Sequence, residues 1–154
     1  MIINIIINNT VMIMNKASDI FRSYIKEKGL RHTRQREAIL EAFLSGEKHI
    51  TVEELFNLAK KKNPEIGYAT VDRNLKLMVE CGLAEEMKIG KQKTRFEQKI
   101  GHEHHDHLVC LKCGRFIEVR DDKIEKLQEK LAEANDFTPM RHKLEIYGFC
   151  KKCR

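Results

Sequence analysis

The sequence predicts an α+β protein built as two units, a helical one followed by a smaller mixed one. Three observations predict it. Apolar residues at helical spacing recur in four stretches that fill most of residues 18–82. Beyond them the texture changes to short strand-like runs around one further helix. Of the five cysteines, four stand in two CxxC pairs, Cys110/Cys113 and Cys150/Cys153, both in the second unit.

The helices can be justified in order. "SDIFRSYIKEKG" sets Ile20, Phe21, Tyr24 and Ile25 on one face, with Gly29 as the stop. In "TRQREAILEAFLSG", Thr33 caps, Ile39, Leu40, Phe43 and Leu44 form the stripe, and Gly46 ends it. "TVEELFNLAKKKNP" opens with the capping box Thr51-x-x-Glu54, buries Val52, Leu55, Phe56 and Ala59, and stops before Pro64. Its Lys60–Lys62 run is a solvated helix end favoured by the dipole. "ATVDRNLKLMVECG" carries Val71, Leu75, Met78 and Val79, and Gly82 fits the C′ position. Cys81 beside it reads as a small buried residue.

"LAEEMKIGKQKTRFEQ" then reads as two short strands around Gly90 with basic residues at the tip. Helices followed by a basic hairpin outline a winged helix-turn-helix over residues 16–98. The helix of 69–81 would enter the major groove and the hairpin would touch backbone or minor groove. Any small helical domain with a hairpin fits the same helical pattern. What favours DNA is the gathering of Arg31, Arg34, Arg36, Arg73, Lys88, Lys91, Lys93 and Arg95 on this half.

Composition agrees without deciding. Apolar residues make 42% and charged residues 34% of the 154, which describes a soluble globular chain and excludes disorder. Lys and Arg outnumber Asp and Glu by 29 to 23, a modest excess that suits an anionic partner. The opening "MIINIIINNTVMIM" lacks a basic n-region and a cleavage site, so it does not read as a signal peptide. No apolar run reaches the roughly 18 residues that would span a bilayer, so no membrane partner is expected. Residues 1–15 are expected to be an extra segment, flexible or an upstream start. A cytoplasmic location follows, with reduced thiols, so paired cysteines favour metal over disulfide.

The second unit is expected over 104–154, after a hinge at 99–103. "HLVCLKCGRFIEV" reads as a hairpin turning at 112–115, and "DDKIEKLQEKLAEAN" as a helix with Ile124, Leu127 and Leu131 inward. "HKLEIYGFC" reads as an alternating strand. Some 55 residues make a small core, and such units usually need a metal or a partner subunit. Two CxxC knuckles at strand ends supply four soft ligands for tetrahedral zinc. A redox CxxC normally opens a helix in a βαβ setting, which these do not. The histidines of "HEHHDH" are left over. In an extended strand His105 and His107 would face one way and His104 and Asp106 the other.

The motifs "GLRHTRQR", "ITVEELF", "ATVDRNLKLMVECGL", "RFEQ", "HHDHLVCLKCGRFIEV" and "YGFCKKC" together resemble the ferric uptake regulator (Fur) family. They run in family order from about Ser18 to Arg154. The resemblance implies a dimeric transcription regulator, with a winged helix followed by a small α/β dimerisation domain, on a palindromic double-stranded DNA operator. It implies a structural Zn(II) on Cys110, Cys113, Cys150 and Cys153. It also implies a regulatory site of His49, Glu97, His105, His107 and Glu118, and an auxiliary one of His104, Asp106, Glu125 and His142. The DNA contacts it implies are Thr70, Asp72 and Arg73 of the recognition helix; charge placement along the winged helix adds Arg36 and Lys91.

One position departs from the family. Its recognition helix usually reads Ala-Thr-Val-Tyr-Arg, and here Asp72 replaces the tyrosine. A carboxylate near phosphates is repelled unless it accepts from a cytosine amino group or pairs with Lys76 one turn on.

The function expected is repression in response to a divalent metal, Fe(II) first, with Mn(II), Zn(II), Co(II) and Ni(II) compatible with the same ligands. Peroxide sensors of the family tend to carry aspartate where Glu118 stands, and zinc sensors usually add a cysteine before the HHDH run. A rival of another class is a non-haem metalloenzyme, since two histidines and a carboxylate can hold open-site iron. No general base or substrate pocket is suggested, so no enzyme is expected. A zinc-stabilised interaction module that binds no DNA is a third reading, kept alive by Asp72.

Overall fold

The computed structural model describes residues 2–88, 93–101, 105–140 and 142–154, with side chains from Val11 onward. They form two compact units, 2–88 with 93–101 and the remainder from 105. Gly90 and Lys91, expected at the hairpin tip, and His104 lie outside the described residues, as does the end of the expected hinge. Lys99 to Gly101 belong to the first unit: the Lys99 N–H donates to the Leu83 carbonyl, and Ile100 packs against the core.

The first unit runs α1 (Ile2–Glu27), α2 (Arg34–Ser45), β1 (His49–Thr51), α3 (Val52–Lys62), α4 (Tyr68–Glu80), β2 (Ala84–Met87) and β3 (Arg95–Gln98). Its core is the set of stripes the periodicity predicts: Phe21, Ile25, Ile39, Leu40, Phe43, Leu55, Val71, Leu75 and Met78 are all buried. Thr33 caps α2 by accepting from the Arg36 N–H. Gly82 closes α4 at φ 78°, where a side chain would be strained. There the Leu83 N–H reaches back to the Met78 carbonyl at 2.9 Å.

Two features of the first unit differ from expectation. The extra segment over residues 1–15 is no separate element, because α1 runs unbroken from Ile2 through residue 15 to Glu27. No glycine or proline precedes Gly29 to stop it, and the i, i+4 series of buried Ala17, Phe21 and Ile25 is continued backwards by the half-buried Ile13. A Cβ at Gly101 would stand 2.6 Å from the Ile13 side chain, so Ile13 lies close over that glycine. The second feature is β1, a strand of three residues too short to read from alternation. It pairs antiparallel with β3, giving the sheet order β1-β3-β2.

The second unit runs β4 (Asp106–Cys110), β5 (Phe116–Val119), α5 (Asp122–Glu133) and β6 (Glu145–Gly148). β4 is central, antiparallel to β5 as the hairpin predicts and parallel to β6. The inward stripe expected on α5 is not buried. Leu127 and Leu131 are 64% and 67% exposed, and no residue of the helix is fully covered. The helix has its amphipathic pattern, but among the described residues of its unit no element covers that face. Ile117, Ile146 and Phe149 are exposed as well.

No helix among the described residues is long and apolar enough to cross a membrane.

The Thr51 cap ties α3 to β1. Its hydroxyl accepts from the Glu54 N–H at 3.2 Å, and the Glu54 carboxylate accepts from the Thr51 N–H at 2.8 Å. Thr51→Ala should therefore destabilise the first unit by about 1 kcal/mol, with Thr51→Ser recovering most of it. Hydrogen exchange of the α2 and α4 core amides in the full chain measures this.

Candidate functional site

α4 presents a narrow polar face. Thr70 and Arg73 line a recess together with Arg36 of α2, while Asp72 lines the opposite flank with Thr51, Tyr68, Lys88 and Lys93. Lys76 borders both. The helix buries Val71, Asn74, Leu75 and Met78, and this forces Asp72, Arg73 and Lys76 outward. Asp72 takes the Lys76 ammonium at 2.7 Å, the local pairing that the spacing allowed. Arg73 folds its Nε back to the Ala69 carbonyl at 3.2 Å and remains exposed. Arg36 donates to the Arg31 carbonyl. Three of the basic residues expected to face DNA pair with acidic groups within the unit: Lys88 meets Glu86 at 3.1 Å, Lys93 meets Glu53, and Arg95 meets Glu54 at 3.8 Å and the His49 carbonyl at 3.1 Å.

The first unit also carries a ligand pair. The β1–β3 register sets His49 directly opposite Glu97, and His49 Nε2 lies 3.7 Å from a Glu97 oxygen. Glu97 is only 4% exposed. A buried carboxylate beside an imidazole is half of a metal site, or a charged pair in its own right.

In the second unit the alternation around β4 separates two sets of donors. His105 and His107 share a side, their rings 4.9 Å apart and nearly perpendicular. β5 pairs Glu118 with His107 in register and brings it within 4.0 Å of His105 Nε2. Sequence reasoning missed a further neighbour, Glu145, which the parallel β6 sets opposite His107. Burial would raise the Glu145 carboxyl, but Lys143, the Tyr147 hydroxyl and His107 outweigh it and hold the group low. Only the strand topology could have shown this neighbour.

Asp106 belongs to the other set, as alternation requires. It is buried, and its carboxylate, one from Glu125 and an imidazole nitrogen of His142 lie within 4.8 Å of one another. His142 Nε2 stands 3.0 Å from Glu125. His104, expected as the fourth member, lies outside the described residues.

The four cysteines form the third cluster, again with all donor atoms within 4.8 Å. Each CxxC is a tight turn: the Gly114 N–H returns to the Cys110 carbonyl at 2.9 Å, and that of Cys153 to Cys150 at 2.8 Å. Cys113 and Cys150 sulfurs are 3.8 Å apart. Tetrahedral zinc with bonds of about 2.3 Å needs sulfur edges of about 3.8 Å, so this donor set fits that ion. The backbone N–H groups of Cys150 and Cys113 lead in drawing the Cys110 thiol down to about 6. Hydrogen bonding to the Cys150 and Cys113 sulfurs leads in pushing Cys153 up to about 12. Without a cation, the cluster resists a second negative charge at Cys153.

Cys81 stands apart from these clusters. It ends α4 half-buried, its thiol raised by burial and bonded to the Met78 carbonyl at 3.4 Å.

Comparison with known proteins gives a consistent result. The model of the family described as "Ferric uptake regulator family" matches residues 27–147. A ferric uptake regulation protein of Neisseria meningitidis serogroup C is 35% identical over 142 residues, covering 92% of this chain and 96% of its own. A peroxide-responsive repressor, PerR, of Staphylococcus epidermidis is 30% identical over 130 residues, covering 84% and 85%. Among solved structures, the Helicobacter pylori ferric uptake regulator Fur superimposes with a TM-score of 0.77 at 26% identity, over 91% of this chain and 93% of that one. That structure reveals three functional metal binding sites.

The cysteine cluster has a pH signature. In metal-free protein the Cys110 thiolate should be present above about pH 6 and lost below it. Thiolate absorbance titrated in wild type and in Cys110→Ser measures this, and the step near pH 6 should be missing from the variant.

Proposed function

The chain belongs to the ferric uptake regulator family, and from that premise we propose that it represses transcription when a divalent transition metal, Fe(II) foremost, occupies His49, Glu97, His105, His107 and Glu118. It is a metal-dependent DNA-binding regulator rather than an enzyme, as its family is. The observation that carries the metal reading is the His49–Glu97 pair, preformed inside the unit that bears the recognition helix. His105, His107 and Glu118 are preformed within the other unit. A metal drawing on both sets would bias the orientation of one unit against the other, and so the spacing of recognition helices in a homodimer. A set confined to one unit would not.

Four cysteines hold Zn(II) for structure, and Asp106, Glu125 and His142, with His104, form an auxiliary site. The uncovered apolar face of the second unit, with Leu127, Leu131 and Ile146, supports pairing with a second copy. Two copies present two α4 helices, which matches a palindromic operator. Thr70, Asp72, Arg73, Arg36 and Lys91 contact that operator, and the protein works in the cytoplasm.

A second reading has its own support. The similarity to a peroxide-responsive repressor favours a metal site that peroxide inactivates. Peroxide abolishing DNA binding by the Fe(II) form but not the Mn(II) form would select that reading over simple iron sensing.

The switch is tested by metal titration with and without operator. His105→Ala and His49→Ala should each abolish metal-stimulated binding while retaining cysteine-bound zinc and the dimer. The coupling should be about 1–3 kcal/mol, or roughly 5- to 150-fold in DNA affinity, and operator should tighten metal binding equally. A His49→Ala protein with full metal dependence would confine the site to the second unit and end the proposal. Separately, Arg73→Ala should lower operator affinity and flatten its fall with salt, measured by titrations at several ionic strengths.

A further inference from the structure

Asp72 and Lys76 form a donor and acceptor held together on the exposed face of α4. Their charged atoms are 2.7 Å apart, with the Asp72 side chain 34% and the Lys76 side chain 65% exposed. The buried neighbours Val71, Asn74 and Leu75 fix the face from which they project. Resting on the reading of α4 as the helix that enters the major groove, we propose that this pair reads one C·G base pair as a unit. The Asp72 carboxylate accepts from the cytosine N4 amino group, and the Lys76 ammonium donates to guanine O6 and N7.

The geometry is complementary. Within a C·G pair, cytosine N4 and guanine O6 are joined by a Watson–Crick hydrogen bond, so they sit about 2.9 Å apart at the groove edge. A carboxylate oxygen and an ammonium at nearly that separation can face them together. An A·T pair also sets a donor, adenine N6, beside an acceptor, thymine O4. There the ammonium finds one acceptor and meets the thymine methyl, whereas guanine offers two acceptors side by side. The pair therefore discriminates between the two.

Electrostatics explains why the residues act together. Asp72 alone would carry a negative charge into a groove walled by phosphates. Lys76 one turn on cancels that charge, and the pair enters the groove nearly neutral. Glu53 and Glu86, which face the same recess, are joined by Lys93 and Lys88 respectively, so this flank carries paired charges throughout. A pair that reads a base should contribute to preference and little to salt dependence. A lysine that only touches phosphate does the reverse.

The test uses the full metal-loaded chain and selection from a randomised duplex library, followed by affinities over a salt series. Wild type should select a C·G pair in each half-site and lose about tenfold in affinity when it is changed to T·A. The double variant Asp72→Ala with Lys76→Met, which removes both charges and so keeps the net charge of this flank, should reduce that discrimination to about twofold or less while leaving the salt slope nearly unchanged. Asp72→Asn should move the preference at that position to A·T, because an amide matches adenine N6 and N7. Exchanging the two residues, Asp72→Lys with Lys76→Asp, should invert the selected pair to G·C. Variants that select the same sequences as wild type would show that the pair only stabilises the helix, and would overturn the proposal. So would a uniform affinity loss with a reduced salt slope, the mark of a phosphate contact. A wild-type chain that selects no sequence at all would overturn the DNA-reading assignment of α4 itself, and this proposal with it.

Discussion

Three residue pairs between β1 and β3, His49 with Glu97, Ile50 with Phe96 and Thr51 with Arg95, hold the working parts of the first unit in place. Thr51 ends the strand and caps α3, which packs on α4. Ile50 and Phe96 are both buried, so the register cannot slip by one residue without turning apolar side chains outward. That same register is what sets His49 against Glu97. One short ladder thus ties the helix scaffold, the base of the hairpin and a ligand pair to a common geometry.

The second unit solves a different problem. Its buried residues are few, and two of them, Asp106 and His107, are polar. A three-stranded sheet with one helix cannot cover both faces, and Ile117, Leu127, Leu131, Ile146 and Phe149 stay exposed. Such a unit needs help beyond its own core. The cysteine cluster joins the turn after β4 to the turn after β6, the two parallel strands that no local turn connects. A metal there closes a long loop at the point where chain entropy most opposes the pairing.

Much of this was legible in the sequence, and the exceptions have physical causes. α2, α3 and α4 follow from local rules, namely apolar period, caps and stops, which act within a few residues. The alternation of His105 and His107 against Asp106 likewise needs only the pleat of a strand. β1 was invisible because three residues hold no periodicity; its existence depends on β3, more than forty positions away. The uncovered stripe of α5 shows the limit from the other side. Periodicity reveals that Leu127 and Leu131 share an apolar face, but says nothing of what covers it. The start of α1 was hard to read because the clear apolar stripe begins only at Ile20, which left residues 1–15 looking like an extra segment. Asparagine is a weak helix former, and without glycine or proline it does not end a helix already anchored by Ala17, Phe21 and Ile25.

The separation of donor types would let the molecule hold metals for different purposes. Four thiolates in tight turns are soft, pre-clustered ligands, and with Cys110 ionised near pH 6 they favour a tetrahedral ion bound as part of the fold. Imidazoles and carboxylates are harder ligands that suit several exchangeable divalent ions; His49, Glu97, Asp106, His107 and Glu118 stand on strands, and none of them lies in a knuckle. Because the sets share no residue, an ion can leave the N/O donors without unmaking the sheet that orients them. A regulator needs this asymmetry: one metal must survive the conditions under which the other comes and goes. Metal binding at the N/O donors could then bias conformation rather than fold the chain, since the strands of the second unit would already be held by the cysteine site and by pairing of β4 with its neighbours, and β1 and β3 by their own ladder.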